Sequence, residues 1–122
     1  MKTTQGQAVR AFGSLAALDS LQTSSLVAFK LFKLKKSLKE IVEFQCEQEE
    51  KLAKQCGGEI TEAGRLSLPD VESRMLYAEK HKELEEMECE IDYEKVTLSL
   101  SEFPRLTMQC IESLEPYIQF EE

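Results

Sequence analysis

The chain has 122 residues, with 15 Lys and Arg against 23 Asp and Glu, one His, four Cys and no Trp. That length suits one domain, and a composition 42% apolar and 31% charged is too apolar for disorder and too charged for a membrane protein. A net charge of −8 argues against a general nucleic-acid binder, which needs a surplus of Lys and Arg facing phosphates, and a single His leaves too few groups for most familiar active sites.

The charge is unevenly spread. Residues 1–56 hold 9 basic and 6 acidic side chains, a net of +3, whereas residues 57–122 hold 6 and 17, a net of −11. Such asymmetry marks either a partner-facing surface or simply a solvated one. The first residues lack the apolar run of a signal peptide, and the stretch Leu26 to Leu34 is interrupted by Lys30 and Lys33, too short and too charged to span a bilayer. A soluble, intracellular protein is expected, with Cys46, Cys56, Cys89 and Cys110 as free thiols. Their spacing contains no CxxC, so no metal is expected and each reads as a small buried hydrophobe.

In chain order, a first helix is expected over about residues 4–18, capped by Thr3 or Thr4, with Ala8, Val9, Phe12, Leu15 and Ala16 on one face. Gly13 weakens its middle and suggests close packing against a neighbour. Asp19-Ser20 and Thr23-Ser24-Ser25 break it. A long helix follows over about residues 25–56, capped by Ser24 or Ser25 and ended by Gly57-Gly58. Val27, Leu31, Leu34, Leu38, Ile41 and Leu52 form its apolar seam, broadened by Phe29, Phe32, Val42, Phe44, Ala53 and Cys56. A rod of about 45 Å points to a helical hairpin or to pairing with a second chain.

Residues 59–68 form an expected β-hairpin turning at Ala63-Gly64. Pro69 and Asp70 open a helix over about residues 70–87, with one stripe of Val71, Met75, Ala78 and Lys82 and another of Tyr77, His81 and Leu84. Period-2 alternation of Cys89, Ile91 and Tyr93, then of Val96, Leu98 and Leu100, indicates strands over about residues 89–100, able to join the earlier hairpin in one small sheet. Ser101 is the expected cap of a C-terminal helix over about residues 102–117, with Pro104 in its first turn, Pro116 kinking or ending it, and Phe103, Leu106, Cys110, Ile111, Leu114 and Ile118 along its face. The fold class is therefore α+β, mainly α.

The densest charge pattern lies on the long helix. Lys30, Lys33, Lys35, Lys36 and Lys39 are followed by Glu40, Glu43, Glu47, Glu49 and Glu50, an order that opposes the helix macrodipole. Two antiparallel copies crossing near Lys39 and Glu40 would place Lys halves against Glu halves. The interface set is then Leu31, Leu34, Leu38 and Ile41 for packing, with Lys33, Lys36, Glu43 and Glu47 for register. The bland alternative is a solvated face with i,i+4 pairs such as Lys36–Glu40 and Lys39–Glu43. His81 with Glu79, Glu83 and Glu85 has the residue types of a metal or acid–base site, but i,i+2 positions face apart on a helix, so a half-exposed His is expected. The acidic run holding Glu83, Glu86 and Glu90 could serve an inhibitor of a host defence or nucleic-acid-acting enzyme, or only solubilise a helix end. No GxSxG, P-loop or GxGxxG occurs, and no cofactor is implied.

The Lys-then-Glu helix, the Gly-Gly break, Tyr77-Ala78-Glu79-Lys80-His81-Lys82-Glu83-Leu84, Glu88-Cys89-Glu90-Ile91-Asp92, the Val96-to-Leu100 strand and Leu114-Glu115-Pro116-Tyr117-Ile118 together resemble a small helical family encoded by phages and prophages and of unknown function. The resemblance covers about residues 8–118. It implies a bacterial host cytoplasm or a virion and carries over no functional residue. The expectation is a non-enzymatic interaction or assembly protein whose partner is a second copy of itself or another phage or host protein.

Overall fold

The structure is a computed structural model that describes residues 1–19, 23–102 and 106–122. Its spine is α2 (Ser25–Gln55), 31 residues long. The Ser24 side chain accepts from the Val27 backbone N–H and so caps its start. Its end is set by Gly57, which takes φ +81° just past the Cys56 cap, the left-handed geometry that glycine adopts without a Cβ clash.

Before α2, the short strand β1 (Lys2–Thr4) leads into α1 (Gln5–Ser14) and a 3₁₀ turn, Leu15–Leu18. Thr4 and Gln7 form a reciprocal capping box. The expected helix over 4–18 is thus shortened at both ends, because Lys2–Thr4 pair with β4 (Glu88–Glu90) and the last turn tightens. Gly13 meets nothing within 4 Å of a built Cβ, contrary to the close packing expected there. Within α1 the tight glycine is Gly6, whose Cβ would lie 3.2 Å from the Glu85 Cβ. Of the break between the helices, Ser20 lies outside the described residues.

After α2, β2 (Glu59–Ile60) and β3 (Leu66–Ser67) form the small antiparallel hairpin, turning at Gly64 with φ +78°. The helix α3 (Val71–Glu85) follows, capped by Asp70, whose carboxylate accepts from the Ser73 N–H at 2.7 Å. That bond, helped by the Ser73 side chain, holds the Asp70 carboxyl below its ordinary range. α3 returns along the C-terminal half of α2 and buries Tyr77, with His81 and Leu84 half-buried beside it, and leaves Val71 and Met75 in solvent.

The strands do not join into one sheet as expected. β4 pairs antiparallel with β1, while β5 (Val96–Ser99) pairs in parallel with β6 (Ile118–Glu121). A parallel pair needs a crossover, supplied here by a 3₁₀ turn (Leu100–Glu102) and α4 (Met108–Leu114). The expected C-terminal helix over 102–117 is therefore corrected to one of 7 residues, capped by Thr107 and not by Ser101. Pro104 lies outside the described residues. Ile118, expected on that helix, instead belongs to β6 and is fully buried.

Two cores result. The larger gathers Ala8, Ala11, Leu34, Leu38, Tyr93, Leu98, Leu114 and Tyr117 around the N-terminal half of α2, and the smaller packs Ala53, Cys56 and Tyr77 at its far end. Tyr93 donates its hydroxyl to the Tyr117 carbonyl at 2.7 Å, and Thr3 Oγ1 meets the Tyr117 hydroxyl, so the aromatic oxygens inside the larger core are satisfied. Of the four free cysteines only Cys56 is buried. Cys46 is exposed, and Cys89 and Cys110 are intermediate, so the reading of all four as buried hydrophobes holds for one.

Candidate interaction surface

The four apolar residues expected at an interface lie within the chain's own fold. Leu34 and Leu38 are 0% exposed, and Leu31 and Ile41 pack half-buried against the same cluster. A partner could reach Leu34 or Leu38 only by opening the larger core, so these two leave the interface set. The reason is periodic: positions 27, 31, 34, 38, 41 and 45 lie along one side of a 3.6-residue helix, and α1 covers that side.

The opposite side of α2 carries what remains. Leu26 is 65% exposed, Phe29 58%, Phe32 61% and Phe44 41%. Phe29 and Phe32 stack with ring centroids 6.5 Å apart, and the Lys33 ammonium stands 5.8 Å from the Phe29 centroid. Lys33, Lys36, Glu40, Glu43 and Glu47 continue the outward stripe and are all exposed. Phe29, placed with the core seam by its apolar character, falls outside it by phase, since 29, 36, 40, 43 and 47 repeat at helical spacing half a turn from Leu34 and Leu38.

The lysines are not all free. Lys33 Nζ lies 3.6 Å from Asp92 Oδ2, Lys30 Nζ 3.9 Å from Glu94 Oε2 and Lys35 Nζ 3.9 Å from Asp19 Oδ1. Among the described residues, Lys36, Lys39, Glu40, Glu43 and Glu47 make no ion pair, including the i,i+4 pairs Lys36–Glu40 and Lys39–Glu43. Between α2 and the segment 92–94 lies a cleft of about 280 Å³, floored by Leu26 and Phe29 and walled by Tyr93.

The other sequence candidates are dispersed or structural. Glu83 sits on α3 with Lys80 at 4.0 Å, Glu86 caps that helix, and Glu90 lies on β4, where it reaches the Met1 amine at 3.5 Å. They form a broken acidic edge with two of the three engaged. His81 contacts Glu49 at 2.8 Å from Nε2 and Glu85 at 3.6 Å from Nδ1, and its ring stacks on Tyr77. The partner Glu49 comes from α2, so neither Glu79 nor Glu83 completes this cluster. Burial pushes the Tyr77 hydroxyl up, and the Glu49 carboxylate adds to it. Among the described residues no group of three or more His, Cys, Asp or Glu could hold a metal ion.

Two thiols sit beside polar groups. Cys89 accepts from the Gln5 amide at 3.2 Å, but burial pushes its thiol up against that bond. Cys46 is also pushed up, first by burial and then by Glu49, Glu50 and Glu43. Both are held toward the neutral thiol, which is the poor nucleophile. No described helix is long and apolar enough to cross a membrane. Compared with known protein families, curated proteins and solved structures, the chain matches none.

Proposed function

We propose that this chain is a non-enzymatic assembly protein, of phage or prophage origin, that associates with a second copy of itself through the outward face of α2. The observation that carries the proposal is the exposed stripe on which Phe29, Phe32 and Phe44 flank a charge order of Lys33 and Lys36 followed by Glu40, Glu43 and Glu47. A two-fold axis near Lys39 and Glu40 is isologous, so each contact occurs twice. It sets Lys36 against Glu43 of the second copy and Lys33 against Glu47. The parallel arrangement would oppose Lys to Lys and Glu to Glu.

The face is about 45 Å long and roughly 10 Å wide, which buries about 900 Å² in total, less than the roughly 1,200 Å² at which stable specific interfaces begin and in the range of weak, transient ones. A weak dimer follows, with a dissociation constant on the order of 10–100 μM. Sedimentation equilibrium on the whole chain tests this. Lys36→Glu or Glu43→Lys alone should abolish the dimer, and the two together in one chain should restore it, because the swapped charges again meet across the two-fold axis. A wild-type chain that stays monomeric at low salt across this concentration range sinks the proposal.

A further inference from the structure

The segment after β4 runs Ile91-Asp92-Tyr93-Glu94, apolar and acidic residues in alternation. The Tyr93 N–H donates to the Ile91 carbonyl at 3.1 Å, a three-residue turn with Asp92 at its tip. Ile91 and Tyr93 are buried in the larger core, and Tyr93 is bolted there through its hydroxyl to Tyr117. Asp92 and Glu94 are left on the outside, over the N-terminal half of α2, where they meet Lys33 and Lys30 in antiparallel order. Both contacts are long, 3.6 and 3.9 Å, and both acids stay almost wholly in water, with side chains 100% and 89% exposed. Exposed pairs of this kind are weak. They are therefore easily exchanged for another carboxylate.

From this we infer that residues 91–94 form an acidic strap that competes with a second copy for Lys30 and Lys33, and so holds self-association down. The inference rests on the reading of α2 as the dimer face. In the antiparallel arrangement Lys33 is needed by Glu47 of the second copy, and the Asp92 carboxylate occupies it within the monomer. The cleft under the strap, with Leu26 and Phe29 as its floor, shows that the strap touches the lysines without sealing the aromatic patch. Opening it costs two exposed ion pairs and no buried surface, since the anchors Ile91 and Tyr93 stay in place.

The test is the dimer dissociation constant of the whole chain, by sedimentation equilibrium, for four proteins. These are the wild type, Asp92→Asn/Glu94→Gln, a control Glu86→Gln/Glu88→Gln that removes the same charge away from the lysines, and Lys36→Glu. The strap variant should dimerise about tenfold more tightly than wild type, equivalent to about 1.4 kcal/mol, and the difference should vanish near 1 M salt, where the screening length is about 3 Å. The control should stay within about twofold of wild type. If Lys36→Glu weakens the dimer while the strap variant matches wild type or the control, the strap is refuted and the α2 face stands. If Lys36→Glu leaves the constant unchanged, or every protein is monomeric, the α2 face is refuted and the strap falls with it.

Discussion

Glu49 of α2 and His81 of α3 meet at 2.8 Å, Oε2 to Nε2, and this contact ties the two long helices together beside the smaller core. Both side chains are about three-quarters buried, at 27% and 24% exposure, so the bond is shielded better than a surface pair. The His81 ring is held flat against Tyr77, with centroids 5.5 Å apart, which fixes its orientation before the bond forms. A double-mutant cycle with His81→Gln and Glu49→Gln should give a coupling of about 1 kcal/mol. Each single change should lower the melting temperature by about 3–5 °C. Additive effects of the two changes would show that the clasp is decorative.

That clasp also marks where the sequence stops being informative. The residue types around His81 were visible, but its main partner lies 32 positions away, and no local period points from one helix to a residue on another. Local signals fared well by contrast. Ser24, Thr4 and Asp70 cap their helices, Gly57 ends α2 and Gly64 turns the hairpin, because each effect is confined to four or five successive residues. β1 was hidden because Lys-Thr-Thr has no alternation of its own and becomes a strand only by pairing with residues 88–90. β6 carries a signal of its own: Ile118 and Phe120 alternate with polar residues, and α4 has already ended at Leu114, ahead of Pro116. On α2 the seam was legible as a stripe, but which stripe the rest of the chain would cover was a tertiary fact.

Two glycines should respond in opposite directions. A Cβ at Gly58 would lie 2.1 Å from the Ser67 carbonyl oxygen and 2.6 Å from Leu68 Cδ2, and backbone cannot yield cheaply. Gly58→Ala should therefore cost about 2 kcal/mol or more and loosen the β2–β3 hairpin. Gly13 sits exposed in α1 with open space around it. Gly13→Ala should stabilise by about 0.5–1 kcal/mol, through helix propensity and a less free unfolded chain. Chemical denaturation of the two variants measures both. A neutral Gly58→Ala would mean that the hairpin does not approach the end of α2 this closely.

The two sides of α2 should separate just as clearly. Leu34→Ala and Leu38→Ala empty fully buried positions and should each cost about 2–5 kcal/mol. Phe29→Ala and Phe32→Ala remove side chains that are more than half exposed, so thermal stability measured on dilute protein should change by less than about 1 kcal/mol. At high protein concentration the same Phe variants should lose self-association while the surviving fold of Leu34→Ala keeps it. Phe variants as unstable as the Leu variants would show that the aromatic face is covered within the chain.

Alkaline titration should expose the wiring of the larger core. Burial pushes the Tyr93 hydroxyl from an ordinary 10.0 up to about 12, with a backbone hydrogen bond at Val96 opposing part of the rise. Burial also raises Tyr117, against the hydrogen bond from Thr3. A raised folded value means that the unfolded chain loses its proton first. The stability contributed by the neutral phenol is therefore complete below about pH 10 and is lost as pH climbs to about 12. Two units correspond to roughly 2–3 kcal/mol for Tyr93. Tyr93→Phe should be less stable at neutral pH by about 1 kcal/mol, because the Tyr117 carbonyl loses its donor. Its stability should nevertheless fall less steeply above pH 10, so the gap to wild type narrows or reverses as Tyr93 ionises in the wild-type chain. Tyrosinate absorbance read alongside unfolding follows both events. If the two stability curves run parallel from pH 9 to pH 12, Tyr93 is not the group whose ionisation opens this core.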